Sequence, residues 1–163
     1  MADVDATGPL AAFVTARLDE EQRLAEEAAR KASPRYDVDG THWRASGEGI
    51  YCEELALAVG AYGYLDDEVA EHIGRHDPAR VLADLAAKRK RLALYLEAKA
   101  VLEGILKGFR AEETPANFHM HAAQRQKREQ AAGRFIAFQT SVKLDAMTWA
   151  KHGGFRPEWK VEG

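Results

Sequence analysis

His72 and His76 stand four residues apart, so on a helix both imidazoles would project from one face and could share a metal ion, with Glu68 or Asp77 as an oxygen ligand. His119, His121 or His152 could supply a remote third ligand. The pattern H-x-x-x-H lacks the glutamate of a zinc-protease helix. A structural role at a helix-to-helix corner accounts for the same histidines. Arg75, His76 and Arg80 close around that corner, and a helix starting at Pro78 would offer free N–H groups to an anion such as a small phosphate-bearing ligand. In the competing reading Asp77 caps those N–H groups, and Arg75 and Arg80 pair with Asp66, Glu68 or Glu71.

Lys88, Arg89, Lys90 and Arg91 are four consecutive cations, which on a helix point in every direction instead of forming one groove-reading stripe. With Leu85 and Leu92 on the core side, Lys88 and Arg89 must snorkel or meet acidic groups. Nucleic-acid binding through this run is an alternative reading, without an aromatic stacking platform or helix-turn-helix beside it. The chain has no G-x-S-x-G, Walker A or G-x-G-x-x-G motif, and Cys52 has no histidine near it in sequence to activate it. Ser33, Ser46 and Ser141 read as helix end, turn and helix surface. These observations favour a non-enzymatic protein without a cofactor.

The elements that must carry these residues follow from periodicity. Gly8-Pro9 opens an amphipathic helix whose Leu10, Phe13, Val14, Leu18, Ala25 and Ala28 face inward, ending near Ser33-Pro34. Tyr36 to Gly40 reads as turn. Thr41–Ala45 and Gly49–Glu53 flank Ser46-Gly47-Glu48-Gly49 as a β-hairpin, and Leu55–Val59 adds a possible third strand; Cys52 there reads as a small buried hydrophobe. Leu65 to His76 predicts a short helix with Asp66-Asp67-Glu68 at its positive end. Asp77 then serves as N-cap and Pro78 as first residue of a long helix to about Arg110, with Val81, Leu82, Leu85, Leu92 and Leu96 inward.

In that helix Leu94, Ala98, Val101 and Ile105 form one stripe, and Tyr95, Leu102, Leu106 and Phe109 an adjoining one. So wide an apolar arc needs cover on more than one side. After a break at Thr114-Pro115, a last helix spans about Ala116–His152, ending at Gly153-Gly154, with Ala131, Phe135, Phe138, Val142 and Trp149 inward and Ile136 and Met147 at the margins. Gln124–Gln130 is wholly polar, and the tail's Phe155 and Trp159 are expected to fold back onto the helices.

At 163 residues with 46% hydrophobic and 30% charged residues, the chain has the composition of a globular domain, and one core is expected. The ten-residue run Leu55–Tyr64 is too short to span a membrane, and two aspartates near the N-terminus stand where a secretory signal carries cations. A cytoplasmic protein is expected. The net charge of −3 is unevenly spread: residues 1–74 carry 6 Lys/Arg against 16 Asp/Glu, and residues 75–110 carry 9 against 4. Such polarity is met within the fold, or the basic middle makes a surface for nucleic acid or an acidic partner.

The segment His72, Arg75, His76, Asp77, Pro78, Arg80, Val81 and Leu82, with Leu18-Asp19-Glu20-Glu21 and a tryptophan hairpin before it, resembles an uncharacterised family of small proteins of actinobacteria and their phages. Trp149, His152, Phe155 and Trp159 resemble that family's aromatic tail. Relatives carry a histidine and several cysteines in the interval between, where this chain has no cysteine, so the resemblance implies no metal centre here. It implies lineage and fold, with no activity to transfer.

The expected architecture is α+β and helix-dominated: an N-terminal helix, a small antiparallel hairpin or three-stranded sheet, a short helix, then two long antiparallel helices. One domain over 1–163 is expected, with residues 1–77 holding helix and sheet, 78–152 the helical hairpin and 153–163 the tail. The expected function is accessory, by binding another protein, with Leu94, Val101, Ile105 and Phe109 available for homodimer formation.

Overall fold

Pro9 can start a helix because its missing N–H is one that no helical carbonyl would accept, and Gly8 before it turns the chain at φ 79°, in the left-handed region. The first helix, α1, accordingly spans Pro9–Ala32. A computed structural model describes residues 8–32, 39–46, 49–52, 55–59, 67–111 and 120–161. After α1 come strands β1 (Arg44–Ser46), β2 (Gly49–Cys52) and β3 (Leu55–Val59), a short helix α2 (Asp67–Gly74), two long helices α3 (Pro78–Ala111) and α4 (Met120–Met147), and a 3₁₀ turn at Pro157–Trp159. The chain divides into two compact units, one within Leu18–Ala87 and the other within Met1–Arg17 and Lys88–Gly163.

In the first unit the three strands form an antiparallel sheet in the order β1-β2-β3. Arg44 pairs with Tyr51 across β1 and β2 and its guanidinium lies 5.4 Å from the tyrosine ring centroid, a cross-strand cation–π contact. Alternation along β2 buries Ile50 and Cys52 and leaves Tyr51 partly exposed. The register shifts between Ile50 and Tyr51, so that Leu57 of β3 is an extra residue. Helix α2 lies against β1, where a Cβ on Gly74 would stand 3.2 Å from the Ala45 nitrogen. Glycine lets helix and strand approach this closely. Asp39 folds the lead-in to β1, its carboxylate accepting the Thr41 N–H at 3.0 Å and the Thr41 hydroxyl at 2.6 Å.

In the second unit α3 and α4 run antiparallel: Tyr95 stacks on Phe135 with centroids 5.6 Å apart, while Arg91, one turn earlier, meets Asp145 further along α4. Burial holds the Tyr95 phenol above the usual tyrosine range, against a Gln139 hydrogen bond that acts the other way. Phe13 from the start of α1 gathers Trp159 at 5.0 Å, Phe155 at 6.2 Å and Trp149 at 6.4 Å between ring centroids. The tail folds back onto the helices as expected.

The helix-dominated α+β architecture agrees with the sequence reading, and the sheet has three strands. One boundary moves. The last helix ends at Met147 and not at His152, because Thr148, Trp149, Ala150 and His152 each donate their N–H three residues back and wind the chain into tighter turns. The Thr148 hydroxyl reinforces this by donating to the Asp145 carbonyl at 2.7 Å. The expected helix end at Ser33-Pro34, the turn over Tyr36–Val38, the Gly47-Glu48 turn, Leu65-Asp66 and the Thr114-Pro115 break lie outside the described residues.

The two units carry net charge of opposite sign. Leu18–Ala87 holds 7 Lys/Arg and 16 Asp/Glu, net −9, and the rest of the chain holds 16 and 10, net +6.

Candidate functional site

The corner between α2 and α3 forms because Asp77 and Pro78 complete a helix start. Asp77 accepts the Arg80 N–H on Oδ1 at 2.7 Å, and its carbonyl accepts the Val81 N–H at 3.0 Å. The Ala79 N–H donates to the Thr41 carbonyl at 3.0 Å, and Pro78 has no N–H to offer. The first-turn donors are thus engaged within the protein. Arg75 pairs with Glu71 one turn back on its own helix. His42 brings Nδ1 to 3.6 Å from Asp77 Oδ2.

His72 and His76 are brought together, with ring centroids 4.7 Å apart and both side chains exposed. Among the described residues no third histidine, cysteine, aspartate or glutamate joins them in a metal-sized cluster. The side chains of Glu68 and His121, and His119 entire, lie outside the described residues; His152 belongs to the other unit.

His76 does line something the sequence did not single out. A groove of about 290 Å³ opens between α1, the β1 lead-in and the α3 start, walled by Glu21, Leu24, Ala25, Ala28, Trp43, His76, Pro78 and Val81. The four α1 residues have the spacing i, i+3, i+4, i+7, one face of a helix. Trp43 donates its indole N–H to the Gly40 carbonyl at 3.0 Å, which satisfies the ring's polar atom. Leu24 is 51% exposed at this wall. Arg75 and Arg80 are not among the lining residues. The sequence signal for this place was Leu24, an apolar residue that the inward stripe of α1 leaves out.

The cation run is partly spent inside its own unit. Arg91 forms two hydrogen bonds to Asp145, at 2.9 and 2.8 Å, and the Lys88 ammonium sits 5.2 Å from the Trp149 ring centroid. Lys90 is exposed and Arg89 half-buried. Asp145, a buried anion on the apolar side of α4, was missed as Arg91's partner. Of the expected interaction stripe, Val101 is 51% exposed, Leu94 and Ile105 are half-buried, and the Phe109 side chain lies outside the described ones. Leu94 and Val101 border a small cleft with Glu97, Ala98, Ala131 and Arg134.

A model of a family of unknown function, DUF6221, matches residues 7–161. The chain belongs to this family. The match runs through the interval that holds α3 and α4, where the sequence reading saw a departure from its relatives, as well as through both ends. No curated protein and no solved structure matches the chain. Among the described residues, no helix is long and apolar enough to cross a membrane.

Proposed function

We propose that this DUF6221 protein is a non-enzymatic binding protein that works in the cytoplasm, an accessory of the actinobacterial and phage lineage its sequence resembles, and that the Trp43 groove takes an apolar segment of another protein. The observation that carries the reading is the groove itself. Its walls are mostly aliphatic, Leu24 stands half exposed beside Trp43, and the indole N–H is already engaged, so what the groove offers an occupant is chiefly apolar surface. The unit around it is strongly acidic, which favours an occupant whose apolar anchors are flanked by lysine or arginine.

The test is purification of the tagged full chain from its host, with Leu24→Lys in parallel. A protein, an untagged copy of the chain included, recovered in stoichiometric amount with the natural chain and lost from Leu24→Lys supports the reading; recovery that ignores the substitution, or recovery of neither another protein nor an untagged copy, overturns it. A ligand site at Arg75, His76 and Arg80 makes the opposite demand. There a divalent ion or nucleotide at a hundred times its Kd would add about 2.7 kcal/mol of stability, and such a rise in Tm would move the function to the corner.

A further inference from the structure

Helix α4 carries a second apolar stripe on the side away from Phe135 and Val142. Ile136 is 59% exposed, Leu144 52% and Met147 37%. At 100° per residue these three fall within about 80° of one another, with Thr140 between them. Thr140 keeps its hydroxyl on the Ile136 carbonyl at 2.9 Å, so the stripe has no polar group to satisfy there. Gly133, one turn before Ile136, is open to solvent and would let another backbone come close. The helix and the turn after it are basic: Arg125, Lys127, Arg128, Arg134, Lys143 and Lys151 against Glu129 and the buried, Arg91-bound Asp145.

A solvated apolar stripe on a basic helix is the chemistry that suits the apolar Trp43 groove in its acidic unit. We propose that the groove's occupant is a second copy of this chain, whose α4 lays Ile136, Leu144 and Met147 against Leu24 and Trp43. This rests on the proposed protein-binding role of the groove and names the partner. Two features support it. The groove belongs to a unit of net −9 and the stripe to one of net +6, so the surfaces that meet are of opposite sign. Leu144 and Met147 are three residues apart and Ile136 two turns earlier, the anchor spacing of a helix in an apolar groove. The contact joins unlike surfaces, so each copy offers one groove and one stripe, and either a reciprocal pair or an extended chain can form.

Sedimentation and light scattering of the full chain from micromolar concentration upward, at low and high salt, test this. The expected result is self-association that weakens as salt rises, and that falls by about tenfold or more in either Leu24→Lys or Ile136→Asp, two substitutions at exposed positions. Thermal melts of both variants establish that they fold, and Leu144→Asp serves as a second variant of the stripe. Mixing is decisive: Leu24→Lys retains a natural stripe and Ile136→Asp a natural groove, so the two variants associate with each other while each alone stays an 18.1 kDa monomer. A natural chain that is monomeric throughout overturns the inference, as does self-association that ignores Leu24→Lys. Binding of anionic vesicles by a chain that remains monomeric overturns it too. If self-association fails while a different host protein is still lost from Leu24→Lys, the binding role of the groove survives and only the identity of its partner falls.

Discussion

Arg91 and Asp145, 54 residues apart in sequence, meet through a two-pronged hydrogen bond in which Nε and Nη2 each donate to a separate carboxylate oxygen, at 2.9 and 2.8 Å. The fork geometry of guanidinium and carboxylate fits only one relative placement of two helices. It therefore fixes the register of α3 against α4, and the Tyr95–Phe135 stack falls into place one helical turn along α3. The four-cation run at Lys88–Arg91 is best understood from this pair: one of its members is a helix-to-helix lock.

Removing one side of the pair should be costly and removing both should not. Asp145→Ala is expected to lower stability by about 2 kcal/mol, less than the roughly 3–5 kcal/mol for a fully buried pair because the Arg91 side chain is 37% exposed. Replacing both, as Arg91→Met with Asp145→Leu, should bring stability back to within about 1 kcal/mol of the natural protein. Urea denaturation of the two single variants and the double variant measures the coupling directly. Additive losses would show that the two side chains do not act as a unit.

Phe13 makes a second point of closure, where the start of α1 meets the tail. Truncation to alanine withdraws the ring on which Trp149, Phe155 and Trp159 gather, and should cost roughly 3 kcal/mol. The loss should be local before it is global. Limited trypsin digestion of Phe13→Ala should cut first after Lys151 and Lys160, ahead of sites within α3. Cutting there at the natural rate would place the tail's stability elsewhere.

What the sequence made legible was local. The i, i+3, i+4, i+7 recurrence of α1 and the Asp77-Pro78 start of α3 are each complete within a few residues, and both stand where they were expected. Strands β2 and β3 were legible for the same reason, since alternation over four or five residues is enough to place them, whereas β1 starts at Arg44, three residues after the expected Thr41. The shift between Ile50 and Tyr51 was not, because a bulge is decided by the partner strand. The end of α4 was not either. Gly153-Gly154 looked like the stop, but the chain leaves the helical spiral at Thr148, where Trp149 is drawn onto Phe13. The groove draws Leu24, Trp43 and Pro78 from three separated segments, and no periodicity connects them.

Asp77 offers a test of whether the α2–α3 corner is set by capping. Asp77→Ala leaves the Arg80 N–H without its 2.7 Å acceptor and should cost about 1 kcal/mol, whereas Asp77→Asn and Asp77→Ser, which keep an oxygen there, should lose only a few tenths. Thermal denaturation of the three variants ranks them. Equal losses in all three would mean that the 3.6 Å approach of His42, and with it the charge of Asp77, matters more than the cap.

The Asp39 turn should respond to acid in a defined direction. The Thr41 hydroxyl, and after it the Thr41 N–H, bond the Asp39 carboxylate and hold its carboxyl below the usual aspartate value of 3.8. With the folded value depressed, the turn's contribution is present in full above the unfolded value and is lost as pH falls through the folded one. Thr41 leads into β1, and its carbonyl also accepts the Ala79 N–H, so opening this turn should loosen the start of α3 as well. The Thr41 and Ala79 amide resonances, followed by NMR from neutral pH downward, should stay constant through mildly acidic pH and move together only as the Asp39 carboxyl, held below its ordinary value, takes up its proton. Asp39→Asn should abolish the acid response of both. Movement of Thr41 alone would show that the turn and the helix start open independently.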